Sequence, residues 1–184
     1  MVMSQPYVWS SPCVLRATTT LSPGDARGPA VSEPTTRVAR VCSLLNAAEA
    51  RYVIVGATAM QLWGTSRATR DVDVLIEPTL DNASRVLDAL ARLPFGVAAE
   101  LTPDEILQRG VTMIGDMPNV DVLTRAWNVQ WAEASVAIAV FDVEGIPIPT
   151  ASLETLIASK RTGRPQDTAD ILVLEAMRHT RDDS

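Results

Sequence analysis

Two aspartates at alternate positions of one predicted strand are the residues whose types and spacing most directly suggest chemistry. Asp71 and Asp73 alternate with Val72, Val74 and Ile76, a pattern typical of a strand with one buried face. Side chains at i and i+2 share a face, with Cα atoms about 6.5–7 Å apart, so both carboxylates can hold a shared divalent cation. Carboxylates this close repel each other unless a metal ion, an arginine or open water compensates their charge.

A third acid lies in a second predicted strand. Asp121 has apolar neighbours on both sides in the segment 120–123, so three acids could converge on one face of a sheet. Carboxylate oxygens favour Mg²⁺ or Mn²⁺, and the absence of His and Cys ligands argues against zinc. The sequence therefore predicts a magnesium or manganese site formed by Asp71, Asp73 and Asp121.

A glycine turn precedes the paired acids. Gly56 ends one predicted strand and opens a helix, which lets backbone N–H groups approach a phosphate, and Thr58 adds a hydroxyl. Arg67, Thr69 and Arg70 come just before the aspartates, where they could contact phosphates or satisfy the aspartates themselves. A phosphate site beside the metal site is predicted, and both roles of the arginines stay open.

One lysine stands alone among the basic residues. Of the 16 basic side chains, Lys160 is the only lysine. A GC-rich genome would explain the arginines without any selection on function, but it leaves Lys160 unexplained. We therefore include Lys160 among the candidate functional residues.

The elements that must position these residues alternate between helices and strands. The predicted helices are 36–50, 57–63, 82–92 with Asp81 as cap, a short helix opened by a capping box of Thr102 and Glu105, 153–160 and 165–178. The predicted strands are 52–55, 71–76, 111–114, 120–123, and a hairpin of 135–143 and 146–148 around Glu144-Gly145. This order predicts an α/β or α+β class with a mixed sheet flanked by helices.

Composition bounds the organisation of the chain. Its 184 residues, 47% of them hydrophobic, suit one domain, predicted over 36–184. Residues 1–35 hold five of the twelve prolines and no regular apolar period, so we predict a disordered or loosely attached tail. The tryptophans at 63, 127 and 131 are predicted to line the core or a groove, and Cys42 to be a small buried hydrophobe.

Charge and cysteine content exclude several classes of function. A net charge of -6 disfavours a broad basic surface for duplex nucleic acid. The apolar runs are too short for a membrane span, so no membrane partner is expected. Two cysteines, without a zinc or redox motif around them, indicate a reducing compartment, and we predict the cytoplasm.

Three segments together resemble a known superfamily. They are GATAMQLWGTSRATRDVDVLI at 56–76, VDVL at 120–123 and PTASLETLIASKRTGRPQDTADILVLE at 149–175. In this order they resemble DNA polymerase β-like nucleotidyltransferases, and more narrowly the small bacterial nucleotidyltransferases grouped with AbiEii-type and MenT-like toxins. The resemblance covers most of residues 38–178. It departs at Ala57, where the superfamily often has Gly or Ser, and at Gln166, where a lysine is usual.

The resemblance implies transfer of a nucleoside monophosphate from an NTP to an acceptor hydroxyl, with release of pyrophosphate. Asp71 and Asp73 would hold Mg²⁺ or Mn²⁺, Asp121 would complete the site and help deprotonate the acceptor, and Lys160 would neutralise phosphate charge. The other implied roles are a triphosphate cradle at Gly56, Ala57 and Thr58, nucleotide contacts from Arg67, Thr69 and Arg164, and supporting contacts from Arg70, Asp167 and Asp170.

The resemblance leaves the acceptor open. The acceptor end of tRNA, modified by the toxin of a toxin–antitoxin pair with a cognate antitoxin, is one expectation, and Arg161 and Arg164 could form a local positive rim for it. A protein hydroxyl or a small molecule is the other expected acceptor. A non-catalytic binding partner or antitoxin with the same fold is the alternative, which the retention of all three acids disfavours.

Overall fold

A computed structural model describes residues 34–182 of the chain. The predicted tail falls almost wholly outside these residues. The helices are α1 Arg37–Ala47, α2 Gly56–Leu62, α3 Leu80–Leu90, α4 Pro103–Gln108, α5 Trp131–Ala134, α6 Leu153–Ser159 and α7 Pro165–Asp182. The strands are β1 Tyr52–Ile54, β2 Val72–Ile76, β3 Val111–Ile114, β4 Val120–Leu123, β5 Arg125–Ala126, β6 Val129–Gln130, β7 Ile138–Val143 and β8 Ile146–Ala151.

A six-stranded sheet in the order β3-β4-β2-β1-β8-β7 forms the centre of the fold. Strand β2 runs parallel to β4, and β1 runs parallel to β8, whereas the other three neighbouring pairs are antiparallel. Strands β5 and β6 form a separate two-stranded hairpin. The predicted mixed sheet with flanking helices is confirmed.

The helices cover the sheet with one continuous apolar core. Helix α1 packs against α3 and against β8, while α2 packs against β2, β8 and α6. The bulky side chains of Leu45, Tyr52, Leu90 and Leu156 are fully buried in this core, and Cys42 is buried as predicted. Within residues 34–182, none of the helices combines the length and the apolar character needed to cross a membrane.

Several predicted helix boundaries are wrong; α7, for example, ends at Asp182 instead of 178. Helix α1 ends at Ala47 instead of 50, because Glu49 takes a left-handed backbone with φ 53°. Helix α3 begins at Leu80, and its cap is Thr79, whose side chain accepts a hydrogen bond from the backbone N–H of Asn82. Asp81, the predicted cap, lies inside the first turn of the helix.

Local turn chemistry was the most reliable part of the prediction. Thr102 and Glu105 form the predicted capping box at the start of α4. The β7–β8 hairpin turns at Glu144 and Gly145, with φ 57° and 77°. Strand β7 begins only at Ile138, because residues 131–134 form the unpredicted helix α5, and the β5–β6 hairpin was also not foreseen.

Candidate active site

The tertiary fold brings the acids of two strands side by side. Strands β2 and β4 are parallel neighbours, and their register pairs Asp73 directly with Asp121. Residues in register project to the same face of a sheet, so these two carboxylates share one face. Asp71 precedes β2 by one residue, at the i−2 position that shares the face of Asp73. We call Asp71, Asp73 and Asp121 the acid cluster.

The acid cluster carries uncompensated negative charge. Burial, and then the charges of Asp121 and Asp71, raise the pKa of Asp73 to about 6, although the Ala57 N–H and the charge of Lys160 act against that rise. Burial and the charge of Asp71 also raise the pKa of Asp121 above its usual value. A positive charge at this position would relieve the repulsion among the carboxylates.

The glycine turn lies directly against Asp73. Gly56 has φ +63°, and a Cβ atom added to it would lie 2.2 Å from Asp73 Oδ2 and 2.6 Å from Cγ. The next residue, Ala57, donates its backbone N–H to the Asp73 side chain. Only glycine provides both the left-handed backbone and the space for this carboxylate. The start of α2 therefore holds the Asp73 carboxylate, and the phosphate cradle predicted at Gly56, Ala57 and Thr58 stays a prediction.

Two of the predicted nucleotide-binding threonines hold the backbone at Asp71. The Thr58 hydroxyl donates to the carbonyl oxygen of Asp71 at 3.0 Å, and the Thr69 hydroxyl donates to the same oxygen at 3.2 Å. Thr58 is buried. Both side chains thus fix the position of the acid cluster through the main chain.

A cavity of about 470 Å³ opens beside Asp71. Thr58, Thr69, Arg70 and the start of α1, with Arg37, contribute to its wall. Arg37 also donates to the carbonyl oxygen of Thr69 at 3.4 Å. The cavity thus combines two exposed guanidinium groups with the edge of the acid cluster.

Lys160 lies at the C-terminal cap of α6 and is only 6% exposed. Its Nζ is 3.3 Å from Asp167 Oδ1 and 2.8 Å from Asp170 Oδ2, both on the first turns of α7. Its charge also acts on Asp73, where it lowers the pKa. The single lysine therefore pairs directly with two buried aspartates, and its charge also influences the acid cluster.

The two arginines predicted to bind nucleotide are engaged with α7. Arg67 Nη1 lies 2.5 Å from Asp170 Oδ1, and Gln166, with its amide oxygen turned toward Arg67, accepts from both terminal nitrogens at 3.3 and 3.0 Å. Arg164 Nε lies 3.0 Å from Asp167 Oδ2. Arg67 thus pairs with Asp170. It neither pairs with the acid cluster nor extends freely into solvent. Glutamine at 166 suits this arrangement, because a lysine there would repel Arg67.

Hydrogen bonds and charge keep Asp167 ionised. Burial pushes the pKa of Asp167 upward, but hydrogen bonds from Thr162 and Lys160 and the charges of Lys160 and Arg164 hold it below its usual value. Asp167 is therefore a permanent negative partner for Lys160 near neutral pH. Asp167 positions Lys160. Among the described residues, no hydrogen bond or ion pair joins Asp167 to the acid cluster.

One contributor to the site was missed. Asn119 donates its side-chain N–H to Asp71 Oδ1 at 3.0 Å, and so orients this carboxylate from the turn before β4. Only its place two residues before Asp121 could have drawn attention to it.

The donor chemistry of the acid cluster fits a hard divalent cation. All three side chains offer only carboxylate oxygens, and burial, followed by the charges of Asp121 and Asp71, raises the pKa of Asp73, so a cation here would stabilise its ionised form. Among the described residues, no three His, Cys, Asp or Glu side chains are gathered closely enough to enclose a metal ion. Side-chain movement at the half-buried acids would have to bring the ligands together.

No protein-family profile matches this sequence, and no curated protein is a detectable relative of it. The residues of the chain itself therefore carry the assignment of function that follows.

Proposed function

We propose that this protein is a Mg²⁺- or Mn²⁺-dependent nucleotidyltransferase, which moves a nucleoside monophosphate from an NTP to an acceptor hydroxyl. The observation that carries the proposal is the pairing of Asp73 with Asp121 on adjacent parallel strands, against the turn at Gly56. Lys160 adds a buried positive charge that acts on the same carboxylate. Paired acids next to a positive group suit the transfer of a phosphoryl-type group, which depends on positioning and charge neutralisation.

Each residue has a definite part in this reaction. Asp71, Asp73 and Asp121 would hold the divalent cation, which would supply charge compensation for the phosphates and lower the pKa of the acceptor hydroxyl. The acceptor oxygen forms a bond to the α-phosphorus, the bond from that phosphorus to the pyrophosphate oxygen breaks, and pyrophosphate leaves. Asp121 takes the hydroxyl proton, as a carboxylate next to the acceptor can do. Lys160 offsets phosphate charge.

The cavity beside Asp71 is the place where we locate the triphosphate. Its volume, about 470 Å³, lies within the range of small-molecule sites, about 300–1,000 Å³. Arg70 and Arg37 supply positive charge along its wall. Thr58 and Thr69 contribute by fixing Asp71 at the edge of the cavity.

The cellular role we propose is that of a cytoplasmic toxin that modifies the acceptor end of tRNA and is countered by an antitoxin. The exposed Arg161 and Arg164, next to Lys160, support an RNA acceptor because they form a local positive rim on a chain whose net charge is -6. A protein hydroxyl and a small molecule remain as the alternative acceptors for the experiment to separate.

The test is transfer of label from each of the four NTPs in the presence of Mg²⁺, with either total tRNA or cell lysate as acceptor. We expect Asp71→Asn and Asp73→Asn each to reduce transfer by at least about 100-fold, because a lost charge at this site is not replaced. Asp88→Asn, on the exposed side of α3, is the matched control and should retain full activity.

Asp121→Asn separates metal binding from activation of the acceptor. This variant should retain more NTP affinity than Asp71→Asn and Asp73→Asn, since part of the role of Asp121 is to take the acceptor proton. Wild-type turnover in the Asp73→Asn variant would contradict the proposed function. Binding of NTP without any transfer would instead favour a non-catalytic partner or antitoxin.

A further inference from the structure

Trp127 occupies a position that turn chemistry does not explain. It forms the two-residue turn of the β5–β6 hairpin together with Asn128, and its backbone has φ 52°. Turns of this kind favour Gly, Asn or Asp, and a bulky side chain with positive φ is an outlier. Despite its size, Trp127 is 46% exposed. Strained backbone of this kind often occurs at functional sites, where the surrounding structure maintains it.

The surrounding structure holds this hairpin at two points. The guanidinium carbon of Arg164 lies 5.5 Å from the centroid of the Trp127 ring, a cation–π contact. The side-chain N–H of Asn128 donates to the carbonyl oxygen of Arg161 at 3.0 Å. Both turn residues are therefore attached to the loop between α6 and α7, and the indole is held in place without being buried.

A short series of contacts connects Trp127 with the acid cluster. Arg164, which lies over the indole, is also 3.0 Å from Asp167 Oδ2. Asp167 contacts Lys160 at 3.3 Å, and the charge of Lys160 acts on Asp73. The exposed indole is thus linked by direct contacts to Lys160, whose charge influences the acid cluster at Asp73.

We propose that Trp127 and Arg164 form a stacking platform for a nucleobase, and this inference rests on the proposed nucleotidyltransferase function. Indole and guanidinium groups both stack on the planar faces of bases, and they do so with little dependence on base identity. The remaining exposed surface of Trp127 is available to a second aromatic ring. The base belongs either to the NTP or to the end of an RNA acceptor.

Equilibrium binding to the wild type, Trp127→Asn and Trp127→Phe tests the stacking platform. The probes are each Mg-NTP, Mg-tripolyphosphate, which carries the charge without a base, and a short single-stranded RNA with a free 3′ hydroxyl. Asn suits the turn, so Trp127→Asn should fold, which circular dichroism will check. Trp131→Phe, in the half-buried tryptophan of α5, is the matched control and should bind all probes as the wild type does.

We expect Trp127→Asn to bind one of the two base-containing probes at least about 5-fold more weakly, the loss expected when one stacked base loses its aromatic partner. Affinity for Mg-tripolyphosphate should be unchanged, and Trp127→Phe should recover part of the loss. Loss confined to NTP assigns the base of the nucleotide, and loss confined to RNA assigns the base of the acceptor. If the role of Trp127 were purely structural, Trp127→Asn would lose affinity for all three probes equally.

The possible failures are distinguishable. The stacking platform is wrong if Trp127→Asn binds NTP and RNA as tightly as the wild type does. It is also wrong if the variant loses as much affinity for Mg-tripolyphosphate as for the base-containing probes. In both cases the proposed function stands. If the wild type binds neither Mg-NTP nor Mg-tripolyphosphate, the proposed function is overturned and the platform with it.

Discussion

At the scale of single residues, the candidate site depends on a close approach of backbone to carboxylate. Gly56 lies so near Asp73 that even one added carbon would collide with the carboxylate. The acid cannot move away freely, because its neighbours Val72 and Val74 are buried in β2. The position of Asp73 therefore requires glycine at 56. The space that Asp73 occupies excludes other residues more strictly than the positive φ of the backbone does.

Gly56→Ala should destabilise the protein by more than the cost of placing an alanine in a left-handed backbone conformation. Gly145→Ala is the matched control, because Gly145 has φ +77° and nothing within 4 Å of an added Cβ. The backbone conformation alone costs about 1–2 kcal/mol, and Gly56→Ala should exceed the control through its clash with Asp73. Urea unfolding of both variants measures the difference. Equal losses would show that Asp73 moves aside at no cost.

Lys160 has a structural role besides its proposed contact with phosphate. It is buried against Asp167 and Asp170, which also pair with Arg164 and Arg67, so Lys160→Ala removes one of the two cations at each carboxylate. We expect this variant to lose about 1–3 kcal/mol of unfolding free energy. Adding Asp170→Asn should restore part of that stability, because the side-chain atom that faced Lys160 no longer carries a charge.

The double variant Lys160→Ala/Asp170→Asn then isolates the chemical role of the lysine. If Lys160 offsets phosphate charge, label transfer stays low in the double variant even where its stability has recovered. Lys160→Arg should recover activity only in part, since a planar guanidinium does not place its charge where an ammonium does. Full transfer by the double variant would mean that Lys160 acts only in the fold.

At the scale of elements, the start of α3 illustrates which of two neighbouring polar residues acts as the cap. Thr79 has extended backbone and accepts from the N–H of Asn82, whereas Asp81 is inside the helix and pairs with Arg85 at 3.0 Å on the surface. Thr79→Ala should therefore cost about 1 kcal/mol of stability. Asp81→Ala should cost less than about 0.5 kcal/mol, the usual value of an exposed pair four residues apart. Thermal unfolding compares them, and the opposite order would reinstate Asp81 as the cap.

A second element-scale feature joins the turn before β4 to the loop after α3. The buried carboxylate of Asp116 accepts the backbone N–H groups of Phe95, Val97 and Met117 at 3.0, 3.2 and 2.7 Å. Burial raises the pKa of Asp116, but these donors and the N–H of Gly96 hold it below its usual value. The ionised form of Asp116 therefore stabilises the fold.

This depressed pKa predicts how stability depends on pH. A carboxyl with a lowered folded-state pKa contributes stability above its unfolded value, about 3.9, and that contribution is lost as pH falls through the folded value. Asp116→Asn should therefore have a lower unfolding free energy than the wild type at pH 7, and this difference should become smaller near pH 2.5. Urea unfolding at the two pH values measures the difference, with Asp88→Asn as control. A difference that does not change with pH would exclude a role for the charge.

At the scale of the whole molecule, the β7–β8 hairpin holds the chain at the start of α1. The Glu144 carboxylate accepts the N–H of Thr35 at 2.6 Å and that of Thr36 at 2.9 Å, across more than 100 residues of sequence. Thr36 also caps α1, because its side chain accepts from the N–H of Ala39. These contacts hold residues 35 and 36 against the hairpin, and the domain boundary at 36 stays a prediction.

Two truncations test this boundary. A chain beginning at Pro34 keeps the contacts of Glu144, and its melting temperature should match that of the full chain, since residues 1–33 are proline-rich without an apolar period. A chain beginning at Arg37 loses them together with the cap of α1, which should lower the melting temperature by about 2–4 °C. Scanning calorimetry measures both. A fall of more than about 5 °C in the first truncation would show that residues 1–33 pack on the domain.

Features that depend on neighbours along the chain are predictable from the amino-acid sequence. The alternation around Asp73 predicts β2, because a strand exposes and buries successive side chains. The capping box at Thr102 and the turn at Gly145 were predictable for the same reason, since their hydrogen bonds and backbone angles are set within a few residues. Asp81 shows the limit of such patterns, because two adjacent polar residues can both resemble a cap.

Which distant residues meet depends on the three-dimensional fold. Asp73 and Asp121 share a face because β4 inserts beside β2 in parallel register, and a one-residue slip would have turned Asp121 to the opposite face. Lys160 contacts Asp167 and Asp170 because α7 folds back against α6, and Trp127 reaches Arg164 because the β5–β6 hairpin packs against α6. These contacts depend on chain crossovers and on burial of the whole core, so no local pattern encodes them.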